Sequence, residues 1–190
     1  MTDAPALTPS QTAGPYLSIG LLRALTTTEL VDPADPRAVR IRGRLVDGAG
    51  EGVPDGMVEI WQANSAGRYR HPADDRAELP LEDGFLGFGR SGTEDDGRFE
   101  FVTVKPGAVP WPGGGLQAPH VVVGIFARGL LKRVVTRLYF PDEAEANDAD
   151  PILSGLAERA RRSLIAAPEG DGLRFDVRLQ GPSHTTFFAV

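Results

Sequence analysis

Short apolar runs separated by turn-forming residues make up most of this chain. Its 16 prolines and 23 glycines fall so often among the 190 residues that long helices are excluded over most of the length. The runs between them favour β-branched residues, which is typical of strands. The predicted strands cover residues 39–46, 57–62, 98–102, 120–126, 134–140, 173–179 and 185–188. We therefore predict a mainly β fold, and the pattern permits a mixed sandwich of two sheets.

Three segments depart from simple alternation. Residues 121–126 are apolar throughout, which predicts a strand covered on both faces, in the centre of a sandwich or at a subunit interface. One short helix is predicted after Asp150, which can cap it, with Pro151 at the first helical position and an apolar face that reaches Leu164. Residues 64–93 form a charged, glycine-rich loop, and loops of that length usually carry function or an interface.

The net charge of −6 and the absence of cysteine narrow the possible functions. Basic residues are scattered among more numerous acidic ones, so we predict no nucleic-acid partner. Without cysteine there is no disulfide, thiolate nucleophile or cysteine-ligated metal. No run approaches the ~20 apolar residues that span a bilayer, and the first residues lack a signal-peptide pattern. We expect no membrane contact and a cytoplasmic location.

A glycine-rich motif from Gly87 to Gly92 matches the G-x-G-x-x-G pattern of dinucleotide-binding folds. That chemistry needs a helix N-terminus to receive the pyrophosphate. Here a turn and the strand-like residues 98–101 follow instead. The motif therefore predicts a glycine-rich loop and not a nucleotide site.

The three histidines, His71, His120 and His184, are never spaced to place two imidazoles on one face of a strand or helix. Their best metal option is His71 with Asp74 and Asp75, which could imitate a facial triad together with one distant histidine. A serine hydrolase has less support, because no serine lies in a G-x-S-x-G elbow. The chain does not carry enough convergent ligands to hold a catalytic metal alone, so any enzyme it serves should need a second subunit.

Two further segments could border a ligand. Residues 12–16 place a rigid Gly14-Pro15 turn beside the hydroxyl of Tyr16. Residues 131–140 place Arg133 at the mouth of an otherwise apolar strand. Each also fits an ordinary surface role, since exposed charge is the default and an arginine that binds a carboxylate needs the rest of a pocket.

Residues 60–71 read I-W-Q-A-N-S-A-G-R-Y-R-H and resemble the E-I-W-Q-A-N-x-x-G-R-Y-x-H signature of the intradiol dioxygenases. These are non-haem ferric enzymes that cleave catechols between the two hydroxyl carbons. The register continues through residues 84–90, 95–101, 103–107, 110–111, 137–141 and 150–152, so nearly the whole chain from Thr12 onward is covered. The short N-terminus and the C-terminal residues most resemble the α chains of members built from two kinds of chain.

The resemblance implies one domain over residues 1–190, a mixed two-sheet β-sandwich with long loops and one short helix. Residues 1–20 would be an N-terminal arm that contributes to the partner's pocket. In the iron-bearing members two tyrosines and two histidines bind Fe(III), and the aligned motifs locate these positions at residues 77, 109, 120 and 122.

Three of those four positions have lost their ligand. Ala77, Val109 and Val122 offer no lone pair, and the arginine before the histidines is replaced by Gln117. The remaining His120 is expected to pack or hydrogen-bond in a collapsed pseudo-site. The resemblance thus implies that this chain binds no cofactor and that Fe(III) lies in a partner β subunit of a higher αβ oligomer.

The resemblance also implies where the substrate lies. In the two-chain members the active site lies between the chains, and Thr12, Gly14, Pro15, Tyr16 and Arg133 would form the α wall of that pocket. A bound catechol such as protocatechuate is anionic, so Arg133 could attract and orient its ring carboxylate. No catalytic residue is assigned to this chain.

The expected function is a subunit that shapes the pocket and the oligomer while the partner cleaves protocatechuate to 3-carboxy-cis,cis-muconate. The isolated chain is expected to be inactive and free of iron. Two alternatives remain open: a non-catalytic small-molecule binding module on the same sandwich, and a stand-alone metalloenzyme that uses His71, Asp74 and Asp75.

Overall fold

The computed structural model describes residues 9–189, and strands supply most of their regular structure. In chain order the strands are β1 (Ala38–Val46), β2 (Met57–Trp61), β3 (Phe88–Gly92), β4 (Arg98–Val104), β5 (Val109–Pro110), β6 (Leu116–Gln117), β7 (His120–Phe126), β8 (Val134–Tyr139), β9 (Ala167–Glu169), β10 (Gly172–Arg174) and β11 (Val177–Arg178). The helical segments are short: α-helical Pro15–Leu17, Arg23–Leu25, Ala144–Ala149 and Glu158–Arg162, π-helical Ser18–Leu22 and 3-10 helical Leu153–Gly155. The mainly β fold class is confirmed, and within this part of the chain no helix is long and apolar enough to cross a membrane.

Two larger sheets organise the strands. In the first, β1 pairs antiparallel with β4 and parallel with β10 and β11, and β9 lies beyond β10. In the second, all neighbours are antiparallel and the order is β3-β2-β7-β8. The strands β5 and β6 pair separately. The apolar strand β7 is an inner strand of the second sheet, and none of its residues is classed as exposed.

The main core lies between the two sheets. Ile41 and Phe101 face inward from the first sheet, and Ile60 and Val123 face inward from the second; none is more than 2% exposed. Both sheets therefore bury one face against the other, which is the sandwich that the pattern of strands permits.

A buried amide connects the two sheets at the end of β2. Gln62 donates from Nε2 to the carbonyl oxygen of Val104 at 2.8 Å. Its Oε1 accepts a hydrogen bond from Thr103 Oγ1, also at 2.8 Å. Both polar ends of the side chain are satisfied without water, which is what a polar group at this depth requires.

The helix predicted after Asp150 is interrupted. Asp150 Oδ1 accepts hydrogen bonds from the backbone N–H groups of Ile152 and Leu153 at 2.8 and 2.9 Å, so the predicted cap exists. Leu156 then takes an extended backbone, with φ −98° and ψ 146°, and the chain starts a second short helix at Glu158. The helical turns over residues 15–25 and 144–149 were not predicted from the sequence.

The C-terminal strand predictions need correction. Residues 173–179 form two strands and not one, because Asp176 Oδ1 takes the hydrogen bond from the Arg44 N–H at 3.0 Å and replaces a backbone carbonyl in the ladder. Residues 185–188 form only an isolated bridge, between Phe188 and Val135.

The long loop predicted over residues 64–93 ends in strand β3. Glycine is rare inside strands, which hid this element, but here it makes room for the core. A β-carbon at Gly89 would lie 2.8 Å from Leu30 Cδ1 and 2.9 Å from Ile60 Cγ1. The G-x-G-x-x-G segment is thus largely a strand, which agrees with the rejection of a nucleotide site.

Candidate functional site

The face of the second sheet that points away from the core carries the candidate site. Side chains alternate along a strand, and Val121 and Val123 point into the core, so His120 and Val122 lie on the outer face. Strand pairing places Trp61 and Arg137 on either side of Val122. Paired β-carbons lie roughly 5 Å apart, so an aromatic ring, an aliphatic group and a cation share one short row.

A cavity of about 620 Å³ opens above this row, and we call it the inner cavity. Val109, His120 and Val122 all line it. Ala77 is not among its lining residues, although the neighbouring Arg76 is. Three of the four positions where the resemblance locates iron ligands therefore surround one space. That space is open, which corrects the expectation of a collapsed pseudo-site.

His120 is held in this cavity by the backbone of its own strand. Its Nδ1 lies 2.8 Å from the carbonyl oxygen of Ala118 and must carry the proton of that hydrogen bond. Burial, reinforced by the positive charge of Arg137, lowers the pKa of His120 to about 4. Near neutral pH the imidazole is uncharged, and Nε2 is the ring atom left to accept a hydrogen bond.

Asp74, which lines the cavity, forms an ion pair with Arg76. Asp74 accepts from Arg76 Nε at 2.8 Å and from Arg76 Nη2 at 2.6 Å, and its Oδ2 also accepts from the Tyr69 N–H at 2.8 Å. The hydrogen bonds from Arg76 lower the pKa of Asp74 to about 2 against the opposing effect of burial. Both carboxylate oxygens are therefore engaged.

The metalloenzyme alternative has no geometric basis in this arrangement. His71 Nδ1 lies 3.1 Å from the Ala73 N–H, and Asp74 is committed to Arg76. Between residues 9 and 189 no three His, Asp or Glu side chains are grouped so as to hold a metal ion. At the positions taken by iron ligands in the resemblance, alanine and valine offer no donor atom, so these residues do not fit the Fe(III) of the family.

Arg137 on β8 is a candidate residue that the sequence analysis did not select. Its Nη1 donates to Gln117 Oε1 at 2.7 Å and lies 3.3 Å from the hydroxyl of Tyr139. The guanidinium also lies 5.9 Å from the centre of the Phe188 ring. No carboxylate within the described part of the chain pairs with it at 4 Å or less, in contrast to the bidentate pair of Arg76.

A guanidinium lies beside the position where the resemblance has lost its arginine. The resemblance places an arginine where Gln117 stands, and Gln117 now hydrogen-bonds the arginine of β8. The sequence carried a signal, since Arg137 interrupts an apolar strand at an outward position. Only the pairing of Arg137 with Val122 shows where it lies.

Two aromatic rings form a flat wall of the same cavity. Trp61 and Tyr69 stack with ring centres 5.7 Å apart and planes inclined by 14°. Burial raises the pKa of the Tyr69 hydroxyl, so the phenol remains neutral over the usual pH range. Both residues belong to the signature segment 60–71, which the fold places against the cavity.

A second depression, of about 760 Å³, lies at the other end of β7 beside Phe126, and we call it the arm depression. Thr12, Gly14, Tyr16 and Arg133 line it. Pro15 lies between two of these residues but is not among those that line the surface. The structure thus brings together four of the five residues that the sequence analysis grouped in one pocket wall.

The chain near Thr12 is fixed by backbone hydrogen bonds. Thr12 Oγ1 accepts from the Gly129 N–H at 2.8 Å, which ties residue 12 to the loop before Arg133. The Gly14 carbonyl oxygen accepts from the Leu17 N–H at 3.0 Å, and Pro15 occupies the first helical position, where its missing N–H costs nothing. Residues 1–8 of the expected arm lie outside the described residues.

Arg133 extends over a gap in the side chains of β7. A β-carbon at Gly124 would lie 3.1 Å from Arg133 Cδ, so the glycine leaves space for the stem of the arginine. Tyr16 is 85% exposed and Leu131 is 63% exposed at the edge of the same depression. Among residues 9–189 no carboxylate lies within 4 Å of the Arg133 guanidinium, whereas Arg128 in the same loop approaches Asp55 at 3.9 Å.

Proteins of known identity resemble this chain over nearly its whole length. A family model described as a dioxygenase matches residues 14–181. The chain is 41% identical to a Protocatechuate 3,4-dioxygenase alpha chain from Burkholderia cepacia, over 96% of this chain and 97% of that one. It is 38% identical to a Protocatechuate 3,4-dioxygenase beta chain from the same organism, over 84% of this chain and 72% of that one.

A solved structure shares the fold. The dioxygenase domain of a dioxygenase and carbohydrate-binding fusion protein from Streptomyces sp. SirexAA-E superposes with a TM-score of 0.58, at 22% identity, over 95% of this chain and 96% of that one. The signature residues, the two-sheet sandwich and the family match over residues 14–181 all agree. The chain belongs to the intradiol dioxygenase family.

Proposed function

We propose that this chain is the α subunit of a protocatechuate 3,4-dioxygenase that acts only together with an iron-bearing β subunit. Its role is to form one wall of the substrate pocket and to build the oligomer. Similarity to both an alpha chain and a beta chain supports a complex of two related subunits. Fe(III) in the β subunit supplies the chemistry of ring cleavage, and this chain contributes binding groups.

The observation that carries the proposal is the contrast between the two ends of β7. At one end, Val109 and Val122 stand where metal ligands would be needed, so this chain has no means to hold the iron there. At the other end, Arg133 extends into the arm depression without a carboxylate partner among residues 9–189. The chain therefore has the residues expected of the pocket wall but lacks those expected of the metal site.

The chemistry of the substrate explains the role of Arg133. Protocatechuate carries a ring carboxylate as well as the two catechol oxygens that reach the metal. A guanidinium at the edge of the pocket attracts the anion and fixes the ring by a charge-assisted hydrogen bond. Thr12, Gly14, Pro15 and Tyr16 provide a rigid surface that closes the same side, because the turn is set by Pro15 and the hydrogen bond from Gly129 to Thr12.

Reconstitution tests the subunit assignment. The chain is purified alone, together with a β chain that carries the four iron ligands, and each preparation is assayed for iron, for visible absorption and for oxygen uptake with protocatechuate. We expect tyrosinate-to-iron absorption and oxygen uptake only when both chains are present. Stoichiometric, tightly bound iron in the isolated chain would contradict the proposal.

The same experiment separates the remaining alternative. A non-catalytic binding module would bind a catechol without associating with the β chain and would leave its oxygen uptake unchanged. The two exposed apolar side chains at the edge of the arm depression, Tyr16 and Leu131, favour association, since large apolar groups around a concave surface are typical of interfaces.

Replacement of Arg133 tests the binding role. In the assembled enzyme we expect Arg133→Ala to raise the KM for protocatechuate roughly tenfold or more, because a charge-assisted hydrogen bond to the carboxylate is lost. Arg128→Ala in the same loop is the matched control and should leave KM unchanged. An Arg133→Ala enzyme with wild-type KM and kcat would remove Arg133 from the pocket.

A further inference from the structure

The inner cavity contains binding groups for which the proposed function has no use. It lies on the outer face of the second sheet, at the opposite end of β7 from the arm depression. The four residue steps from Val122 to Phe126 span roughly 13 Å of strand. A ligand at one end therefore does not reach the other.

His120 offers one unused hydrogen-bond acceptor to this space. The residue is 4% exposed, and its Nδ1–H is bonded to the Ala118 carbonyl oxygen. No donor among residues 9–189 is bonded to Nε2. Nε2 is not among the fully buried atoms that lack a partner, so it is accessible from the cavity and can accept a hydrogen bond from a ligand hydroxyl.

Arg137 offers an unused cation to the same space. Gln117 and the Tyr139 hydroxyl hold its Nη1, and neither neutralises its charge. The other arginine of the cavity, Arg76, is neutralised by Asp74 at 2.6 Å. The cavity thus has one guanidinium whose charge a ligand carboxylate can balance.

The remaining surfaces favour a flat aromatic ligand over a small inorganic anion or a metal ion. The stacked rings of Trp61 and Tyr69 form one wall, and Val109 and Val122 form apolar surface beside His120. His71, Asp75 and His120 line the cavity, but within residues 9–189 they are not grouped so as to hold a metal ion. The volume of about 620 Å³ falls within the range of small-molecule sites.

We propose that the inner cavity is a second ligand site, separate from the shared pocket, that binds small hydroxylated aromatic carboxylates of the hydroxybenzoate class. The ligand hydroxyl donates to His120 Nε2, the carboxylate lies against Arg137, and the ring packs over Trp61 and Val122. No bond is made or broken, so the site is a binding site and not a second catalytic centre.

The probe is 4-hydroxybenzoate, and Trp61 serves as the reporter. The chain has two tryptophans, so Trp111→Phe leaves Trp61 as the only one, in the wall of the cavity. In the full-length chain with this background, we expect 4-hydroxybenzoate to quench the fluorescence in a saturable way. Benzoate lacks the hydroxyl and phenol lacks the carboxylate, and each should bind roughly tenfold more weakly.

Three further variants locate the binding. Val122→Phe fills the cavity and should abolish saturable quenching, and Arg137→Gln should weaken binding roughly tenfold while it keeps a polar contact with Gln117. Arg128→Gln, in a loop away from the cavity, should bind as the parent chain does. Circular dichroism shows whether each variant is folded.

A second measurement uses the assembled enzyme and does not depend on the stability of the isolated chain. Equilibrium dialysis with 4-hydroxybenzoate should find two sites for each αβ pair, of which Val122→Phe removes one. A single site that Val122→Phe leaves intact would overturn the proposal, as would quenching in the folded chain that Val122→Phe does not change. Either result leaves the α-subunit proposal standing, because that proposal depends on Arg133 and on reconstitution.

Discussion

His120 couples the stability of the fold to pH. Its folded pKa of about 4 lies below the ordinary 6.5, so the unfolded chain takes up a proton at this residue first as the pH falls. The stabilising contribution is complete above about pH 6.5 and is lost between there and pH 4. At about pH 5 the loss should be roughly 2 kcal/mol in the free energy of unfolding.

Urea denaturation of the wild-type chain and of His120→Gln at about pH 7 and about pH 5 measures this contribution. The variant keeps a side chain that can donate to the Ala118 carbonyl oxygen but cannot titrate. We expect a smaller loss of stability in the variant over this interval. Equal losses in both proteins would show that His120 is charged in the folded state.

Gly124 matters for the side chain that lies over it. A β-carbon there would lie 3.1 Å from Arg133 Cδ, so Gly124→Ala should displace the flexible arginine with little effect on the fold. In the assembled enzyme we expect a severalfold higher KM for protocatechuate and a kcat close to wild type. Gly155→Ala, where nothing lies within 4 Å of the new β-carbon, is the control. A kcat that falls while KM stays constant would contradict this account.

Some residues of the candidate site could be identified from the sequence, and others could not. Val109 and Val122 could be found because a missing ligand is visible in an aligned motif. Arg137 stands out in the sequence as a charge within an apolar strand, but its position beside Val122 depends on the register of β8 against β7. The cavity was equally hidden, since its lining residues come from segments that are far apart in the sequence.

The 3-10 helical turn Leu153–Gly155 is capped by one buried carboxylate. Asp150 is fully buried and accepts hydrogen bonds from the backbone of Ile152 and Leu153 through Oδ1 and of Ala118 through Oδ2, the last at 2.8 Å. It therefore joins the helical turns to the strand that carries His120. Asp150→Ala should cost about 3 kcal/mol or more, because three N–H groups, two of them in buried hydrogen bonds, lose their acceptor.

Thermal or chemical unfolding followed by circular dichroism checks this value. Asp148→Ala is the matched control, since Asp148 is exposed and its ion pair with Arg161 lies at the surface. The control should change stability by less than about 1 kcal/mol. Similar effects of the two substitutions would mean that the cap at residue 150 contributes little.

Strands could be predicted where their apolar pattern is regular. They could not be predicted where a side chain takes the place of a backbone hydrogen-bond partner. β1 and β7 follow their apolar patterns closely, from Ala38 and from His120. The break between β10 and β11 arises from the bond between Asp176 and the Arg44 N–H, which joins residues far apart in sequence. The predicted helix breaks at Gly155, a residue type that commonly ends helices, so this break did carry a signal in the sequence.

Under the proposed function, the exposed surface at the arm depression is where we expect the β subunit to bind. Tyr16 and Leu131 lie near Arg133 at the arm depression, and both are more than half exposed. Burial of each against a partner would contribute roughly 1.5–3 kcal/mol of association free energy. The family and the sandwich could be predicted from the sequence, but this clustering of apolar side chains from two distant segments could not.

Tyr16→Ser and Leu131→Ser should each weaken assembly with the β chain by roughly tenfold or more, without changing the stability of the isolated chain. Sedimentation equilibrium of mixtures measures the association. Leu86→Ser is the control, because Leu86 is 61% exposed but belongs to a different loop. If the control and Leu131→Ser weaken assembly equally, the arm depression is not the centre of the interface.

The amide of Gln62 limits how the sandwich can move. Because one side chain is bonded both to the Val104 carbonyl oxygen and to Thr103, the sheets cannot slide past each other without leaving a buried donor and acceptor unpaired. Shear between the layers is therefore suppressed beside the inner cavity. Amide hydrogens of β2 and β4 near this contact should exchange with deuterium only through global unfolding. The cavity wall would then keep its shape while ligands enter and leave.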